Sequence, residues 1–372
     1  MDNNKINSDI FLPYGDILRP LLLNSNMSDS DFKKLLANKG ILTNSSSRSL
    51  TIPLLSTCII SPSEFELLRE KQKTKENNPK VKTRESVCNL DFKLQDIITS
   101  NLIDVNNIEI DKYSKYKPLK KLKILPDKND SSQAYIDFEI ERTDYTKDWA
   151  NLSSTHKGKI TLKHDRKNSK LIFSMQHTSS ETADYANKIV SNLYKEMKNS
   201  NLLCNNSKIQ KICCGDFTNS ERFKFMLSFT DNSNLDFLIF KSIGGLEIIP
   251  DEKIKLPANI NWMEKKVKTL FFSGNELHKT PYLIDTIYHD SLILYEINAY
   301  YSFDLNGIKG TCYITYGFPQ TLRKYNNSSE FEVSIKGLNI PNKYNESKSN
   351  ITKFILNKFM ELKISKTQQL TD

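Results

Sequence analysis

The sequence contains no run of about eighteen apolar residues, so it predicts no transmembrane helix. The first residues, 1–7, lack the apolar stretch of a secretory signal peptide. Six cysteines are spread over 372 residues without a Cys-x-x-Cys spacing, which argues against a disulfide framework or a zinc ribbon. We therefore expect a cytoplasmic protein with reduced, mostly buried thiols and no membrane contact.

Motifs of the common enzyme classes are scarce as well. No Gly-x-x-x-x-Gly-Lys segment is present to cradle a triphosphate, and the five histidines show no His-x-x-x-His or His-x-Cys spacing for a metal. The dipeptide His164-Asp165 falls in a predicted turn, and Cys213 and Cys214 have no identifiable histidine partner. The sequence therefore predicts no cofactor, no metal ligand and no catalytic residue.

One enzyme class stays open as an alternative. A restriction-type nuclease places an Asp on one strand and Glu-x-Lys on the next, where the carboxylates hold a divalent ion. Asp137 and Glu139 lie on a predicted strand, but the Glu-x-Lys of residues 361–363 falls on a predicted terminal helix. A divergent metal-dependent nuclease would cleave with Mg²⁺ or Mn²⁺ and would lose activity when Asp137 or Glu139 is neutralised.

Two segments, 134–198 and 292–363, share one order of predicted elements. In the first, residues 134–143 alternate, with Ile136, Phe138 and Ile140 on one side of a strand. A hairpin over 159–175 and a helix opened by a Thr178 to Glu181 capping box follow. The second segment predicts strands over 292–303, 310–316 and 330–335 before an amphipathic helix. We interpret this order as an internal duplication; a coincidence of two common arrangements is the alternative.

The chain outside these segments divides into three parts. Residues 1–70 predict short helices, with Ser28 as an N-cap, Gly40 as a C-cap and an exposed loop over 43–49, in the layout of a helix-turn-helix or a SAP-like hairpin. Residues 71–89 read as a linker because they contain almost no apolar side chains. Residues 207–290 predict a β-rich block, with a hairpin over 223–240, a turn at 242–245 and a helix over 262–272.

Basic residues are concentrated in two stretches of a chain whose net charge is +9 and whose pI is about 9.0. Lysines beside tyrosines, such as Tyr113 and Tyr116, suit a phosphate backbone with stacked bases. A solvated connector is the competing interpretation, and the abundance of Asn, Lys and Ile is also how an AT-rich genome encodes any protein. The candidate nucleic-acid-binding residues are Lys71, Lys73, Lys75, Lys80, Lys82, Arg84, Lys112, Lys115, Lys117, Lys120, Lys121 and Lys123.

A dense aromatic group lies on two strands of the second segment. Alternating members could form one aromatic face for bases or a partner, but such residues are more often the core beneath the covering helix. The group comprises Tyr300, Tyr301, Phe303, Tyr313, Tyr316 and Phe318.

The sequence therefore predicts an α+β protein with a small N-terminal helical module and a pseudo-duplicated antiparallel sheet-plus-helix body. The predicted divisions are a helical module over 1–70, a basic linker and connector over 71–130, sheet-plus-helix units over 131–206 and 291–372, and a central β-rich block over 207–290. We expect a non-enzymatic nucleic-acid-binding or scaffold subunit of a larger complex, with other protein subunits as partners, in a setting such as bacterial phage defence. A protein-only assembly subunit is a further alternative.

Overall fold

The computed structural model of the chain describes residues 12, 14–23, 27–76, 78–89, 92–95, 103–127, 130–143, 153–204, 206–231, 237–319 and 326–371, with the backbone alone for 69–70, 72–76 and 368–371. Its helices are α1 (Leu18–Leu23), α2 (Asp29–Asn38), α3 (Arg48–Ser56), α4 (Pro62–Glu76), α5 (Ser180–Asn199), α6 (Asn219–Leu227), α7 (Pro281–Ile284) and α8 (Lys348–Thr371). Its strands are β1 (Lys80–Val87), β2 (Tyr116–Pro118), β3 (Leu125–Pro126), β4 (Gln133–Arg142), β5 (Ser154–Asp165), β6 (Lys170–His177), β7 (Gln210–Lys211), β8 (Leu238–Pro250), β9 (Leu270–Ser273), β10 (Leu292–Leu305), β11 (Ile308–Gly317) and β12 (Glu332–Asn339).

These elements belong to two compact units. Unit 1 comprises residues 1–78, 94–160 and 177–200, and unit 2 comprises residues 79–93, 161–176 and 201–372. The helical N-terminal region and the large antiparallel sheet with its helices confirm the α+β class. Both segments of the predicted duplication have three strands followed by a helix, namely β4, β5, β6 and α5, and β10, β11, β12 and α8. That the two segments are copies of one structure stays a prediction.

The helical module at the start of unit 1 has a core of its own. Leu18, Phe32, Leu36, Leu55 and Phe65 are buried together with other apolar residues of α1 to α4. As predicted, Ser28 begins α2 and Gly40 follows it with a φ of 78°. The sequence did not predict α3, which begins inside the segment that we expected to be an exposed loop and which contains Pro53.

The rest of unit 1 places α5 on strands β2 and β4, with β3 also paired to β4. The alternation of β4 is confirmed, since Ile136, Phe138 and Ile140 are buried. The capping box of α5 is one residue later than predicted: Ser179 is the N-cap, and its hydroxyl and that of Thr182 exchange hydrogen bonds with backbone N–H groups. Glu181, expected in the capping box, lies 3.6 Å from the buried Arg142.

Unit 2 is built on strands in the order β6-β1-β12-β11-β10-β8-β9, with the end of β5 beside β6 and β7 beside β1. Its core lies between this sheet and helices α6 and α8, where Phe229, Tyr316, Phe331 and Phe359 pack face to face or at an angle, with ring centroids 5.0 to 6.4 Å apart.

Four secondary-structure predictions in unit 2 and at its border were wrong. Residues 71–76 continue helix α4 and residues 80–87 form strand β1, where a linker was expected. Residues 223–227 belong to α6, because Thr218 and Glu221 form a capping box that starts a helix there. The turn expected at 242–245 is the interior of β8, and the helix expected over 262–272 is a 3₁₀ turn at Asn261–Met263 followed by β9. The predicted turn of the 223–240 hairpin falls partly on residues 232–236, outside the described residues.

Candidate nucleic-acid interface

The main group of candidate cations lies in unit 1 on the segment that leads into and out of β2. All six of its lysines are exposed: Lys112, Lys115, Lys117, Lys120, Lys121 and Lys123. The segment is fixed to β4 by pairing of Tyr116 with Arg142 and by a hydrogen bond from the Leu119 N–H to the Glu139 carbonyl at 2.9 Å. Because β2 ends the strand order of this unit, the lysines border a sheet edge.

Two of these lysines are paired with carboxylates of β4. Lys117 lies 2.8 Å from Glu141 and Lys120 lies 2.8 Å from Glu139. The hydrogen bond from Lys120 lowers the pKa of Glu139. Both lysine side chains remain about 70% exposed, at 71% and 70%, so water screens these pairs and a phosphate can compete for them. Within the part of the chain that the structure describes, Lys112, Lys121 and Lys123 form no ion pair.

The two tyrosines of this segment have different environments. Tyr113 is 90% exposed, so its ring is available for stacking. Tyr116 is buried beside Tyr185 and its hydroxyl donates to the Asp184 carboxylate at 2.6 Å. Burial and that contact raise its pKa. Of the two tyrosines in the predicted lysine–tyrosine interface, only Tyr113 faces solvent.

The cations of β1 face carboxylates of the neighbouring strand in unit 2. Lys80 and Lys82 each lie 3.4 Å from Glu332. Arg84 makes a two-pronged contact with Glu330, at 3.0 Å through Nε and 2.9 Å through Nη2, and both side chains are nearly buried. These pairs neutralise much of the charge that made β1 a candidate, and they tie β1 to the β12 region.

The remaining candidates lie on α4. The Lys71 ammonium is 3.2 Å from Asp31, which joins the end of α4 to the start of α2. Lys73 and Lys75 are helical, and their side chains are outside the described residues.

The aromatic group of the second segment is divided by strand alternation. Tyr301, Phe303, Tyr316 and Phe318 are buried in the core of unit 2. Tyr300 and Tyr313 lie on the opposite face as a stacked pair, with centroids 4.4 Å apart, and Tyr300 is 43% exposed. The core interpretation is therefore confirmed for four of the six residues, and only Tyr300 and Tyr313 lie on the other face.

Three residues of the nuclease alternative have other partners. Glu139 is engaged by Lys120, Glu361 pairs with Lys163 at 2.8 Å, and Lys363 is buried against β1. Across the described ranges, no group of three or more His, Cys, Asp or Glu side chains is arranged to hold a metal ion.

The cysteine pair of the sequence motif is buried. Burial raises the pKa of the thiols of Cys213 and Cys214, which favours the protonated and unreactive form. In the portion of the chain that is described, no helix has the length and apolarity that a membrane crossing requires.

One group of exposed cations was not recognised in the sequence. Lys253, Lys255, Lys265, Lys266 and Lys268 lie on the connection between β8 and β9, with Trp262 between them. A helix predicted over 262–272 would have spread these side chains around its circumference, which hid them as a group. The combination of one tryptophan and five lysines in sixteen residues, 253–268, was the available signal.

Comparison with known proteins gives one result. Residues 16–78, which form the helical module, are similar to the family described as the GAPS4b protein N-terminal domain. No curated protein and no solved structure gave a significant match.

Proposed function

We propose that the protein is a nucleic-acid-binding subunit of a larger complex and that it contacts the phosphate backbone through the lysines of residues 112–123. The observation that carries the proposal is the exposure of all six lysines beside an exposed tyrosine on one segment fixed to a sheet edge. Clustered ammonium groups release counterions when they bind phosphates, and a neighbouring ring stacks on a base. The segment 80–84 contributes less, because Glu330 and Glu332 already pair with its cations.

The biological setting that we propose is phage defence. The similarity of residues 16–78 to the GAPS4b N-terminal domain supports this setting and membership of a complex. In this arrangement the helical module docks on another subunit, while the lysines of 112–123 contact nucleic acid.

The test is charge reversal of the three lysines that lack an ion pair among the described residues. We expect the triple substitution Lys112→Glu, Lys121→Glu and Lys123→Glu to weaken DNA or RNA binding at least tenfold and to lower the slope of log K against log salt by about 2 to 3. Fluorescence anisotropy with labelled oligonucleotides over a range of salt measures both quantities. The thermal unfolding profile should stay unchanged because these side chains are exposed.

A matched control uses three other exposed lysines of unit 1. Lys34→Glu, Lys195→Glu and Lys198→Glu change the net charge by the same amount at positions on α2 and α5. If this control weakens binding as much as the first triple variant, general charge and not the 112–123 segment determines the affinity. Equal affinity of the first variant and the wild type would contradict the proposal.

A protein-only assembly subunit is the second candidate function. Leu42 and Ile59 of the helical module are each 87% exposed, so both side chains are accessible to a protein partner. This function predicts a complex that survives nuclease treatment, that is released by Leu42→Asp with Ile59→Asp, and that shows no salt-dependent nucleic-acid binding. Native mass spectrometry before and after nuclease digestion separates the two candidates.

A further inference from the structure

The connection between β8 and β9 in unit 2 is long for two paired strands. Residues 251–269 leave the sheet after Pro250 and return where Leu270 pairs with Ile248. Antiparallel neighbours are usually joined by about 2–5 residues, and loops longer than about 12–15 residues within a compact unit usually serve binding or catalysis.

The core of unit 2 holds this loop in place. Leu256, Ile260 and Met263 are buried there, with exposed fractions of 4%, 3% and 1%. The Met263 carbonyl accepts from the Val267 N–H at 3.0 Å, and the Asn259 amide donates to the Tyr288 hydroxyl. The outward side chains therefore project from a fixed backbone.

Trp262 points away from that core. It lies in the 3₁₀ turn Asn261–Met263, where the next residue is almost fully buried, yet the indole is 53% exposed. A large aromatic ring held in water by a rigid turn offers a flat apolar face for a ligand ring.

The polar side chains around Trp262 are predominantly basic. Lys253, Lys255, Lys265, Lys266 and Lys268 are all exposed and form no ion pair with any residue that the structure describes. The loop also contains Glu252, Glu264 and Asp251, and the Asp251 carboxylate is engaged by the Asn219 amide at 2.8 Å and the Lys253 N–H at 3.0 Å. The loop therefore combines an excess of positive charge with one exposed indole.

We propose that residues 251–269 form a binding site for single-stranded nucleic acid, in which Trp262 stacks on an unpaired base and the neighbouring lysines contact phosphates. Stacking favours a single strand because the faces of paired bases are covered by their neighbours in a duplex. Lysines supply charge without reading base edges, so the site has little sequence preference. Both DNA and RNA offer this chemistry.

This site does not depend on the function proposed above, because it uses different residues in a different unit. Both sites combine lysines with one exposed ring, Tyr113 in the 112–123 segment and Trp262 here, and each ring requires an unpaired base. Separate variants therefore test the two proposals separately.

The first experiment follows the indole directly in the full-length chain. The protein has two tryptophans, so Trp149→Phe leaves Trp262 as the sole tryptophan. Titration with oligo-dT or oligo-U should quench its emission, and a duplex of equal length should quench it much less. Emission that is unchanged by either single strand at saturating concentration would overturn the proposal.

The second experiment measures affinity by anisotropy and needs no Trp149 substitution. Trp262→Ala should weaken binding of either single strand about tenfold and binding of the duplex less than twofold. The triple substitution Lys255→Glu, Lys266→Glu and Lys268→Glu should reduce the salt slope for a single strand by about 2. Circular dichroism of each variant checks that the fold is retained, and Trp262→Phe should recover most of the single-strand affinity if stacking is the cause.

Matched controls come from α8 and its preceding turn in the same unit. Phe354→Ala removes another half-exposed ring, and Lys343→Glu, Lys348→Glu and Lys353→Glu reverse three other exposed lysines. These controls should leave single-strand affinity within twofold of the wild type. Equal losses in the control and test variants would overturn the proposal, as would a Trp262 emission change that only a protein partner produces. If the triple variant of Lys112, Lys121 and Lys123 loses binding while Trp262→Ala does not, only the present inference fails.

Discussion

Lys363 shows how a single side chain in unit 2 combines burial with charge. Its ammonium donates to the Thr83 hydroxyl at 2.7 Å and the Thr83 carbonyl at 3.2 Å, and it lies 5.9 Å from the centre of the Phe331 ring. Burial lowers its pKa to about 8, although the carboxylates of Glu330 and Glu85 oppose that change. The lysine thus joins α8 to β1 with a charge that is costly to keep inside the protein.

This depressed pKa predicts a dependence of stability on pH. In the unfolded chain a lysine has a pKa near 10.4, so between about pH 8 and 10 the unfolded state holds a proton that the folded state has released. The contribution of Lys363 to the free energy of unfolding therefore rises with pH across that window, by at most about 1.4 kcal/mol per pH unit, and is lost as the pH falls to 8. Urea denaturation measures the free energy of unfolding. We expect the value for the wild type minus the value for Lys363→Met to become more positive from pH 8 to pH 10.

An exposed lysine on the same helix provides the comparison. Lys348→Met is the matched substitution, because Lys348 is exposed at the start of α8. Groups that do not interact with Lys363 are common to all three proteins and cancel. Parallel pH profiles for wild type and Lys363→Met would show that the buried ammonium keeps an ordinary pKa.

At the scale of elements, amphipathic patterns predicted structure well where one face alone is buried. The alternation of β4 and the helical spacing of α5 are present in the sequence and in the fold. The pattern misled at Phe223 and Phe225, which are two apart as in a strand but belong to α6, a helix buried on most sides. It also misled at Gly244, which was interpreted as a turn residue. A β-carbon there would lie 2.4 Å from the Tyr300 ring, so the absence of a side chain at this position of β8 leaves room for the ring of the neighbouring strand.

The candidate interface was harder to predict than the fold because exposure depends on distant partners. Nothing local to Arg84 indicates that Glu330, 246 residues later, neutralises it in a neighbouring strand region. Arg48 is similar, since it was assigned to a loop but bonds the Leu23 and Met27 carbonyls and Asp29. Lys112, Lys121 and Lys123, by contrast, lie in a segment with few acidic residues in the sequence. They are exposed, as a run of lysines without acidic neighbours predicts.

Two glycines of adjacent strands in unit 2 predict different effects of the same substitution. Gly317 has a φ of 150°, and a β-carbon there would lie 2.0 Å from the Tyr295 carbonyl oxygen, which is backbone and cannot turn aside. We expect Gly317→Ala to lower the free energy of unfolding by at least about 3 kcal/mol. At Gly337 an added β-carbon would lie 3.8 Å from its nearest neighbour, the Tyr313 side chain, so Gly337→Ala should change stability by less than about 1 kcal/mol. Chemical denaturation compares the two, and similar midpoints would contradict the steric argument.

For the whole molecule, the net charge of +9 is distributed according to structural role. Strand cations such as Lys80, Lys82 and Lys170 face carboxylates and contribute to the fold. Two segments, 112–123 in unit 1 and 251–269 in unit 2, carry eleven exposed lysines, of which Lys117 and Lys120 pair with acids of β4. Charge placed on segments that are anchored at their ends is suited to binding, because it attracts a polyanion without weakening the sheet.

The helical module also has a hydrophobic core of its own within unit 1. Residues 18–68 supply every fully buried member of that core among the described residues, so the module does not need other apolar residues to complete it. We expect a fragment of residues 1–78 to fold alone, with helical circular dichroism and a cooperative thermal transition. A fragment of this size is only marginally stable, so single contacts decide the outcome.

The contacts of Arg48 allow the stability of this fragment to be predicted quantitatively. Its guanidinium bonds the end of α1, the Met27 carbonyl and Asp29, and it lies 5.4 Å from the centre of the Phe32 ring. Arg48→Ala should lower the stability of the fragment by about 1–3 kcal/mol, because two carbonyls and a carboxylate lose a charged donor together. Arg19→Ala, which removes only an exposed contact with Asp16 at 3.9 Å, should cost less than about 1 kcal/mol. A fragment that stays unfolded, while the full chain melts with the helical module intact, would show that residues beyond the module are needed to hold α1 to α4 together.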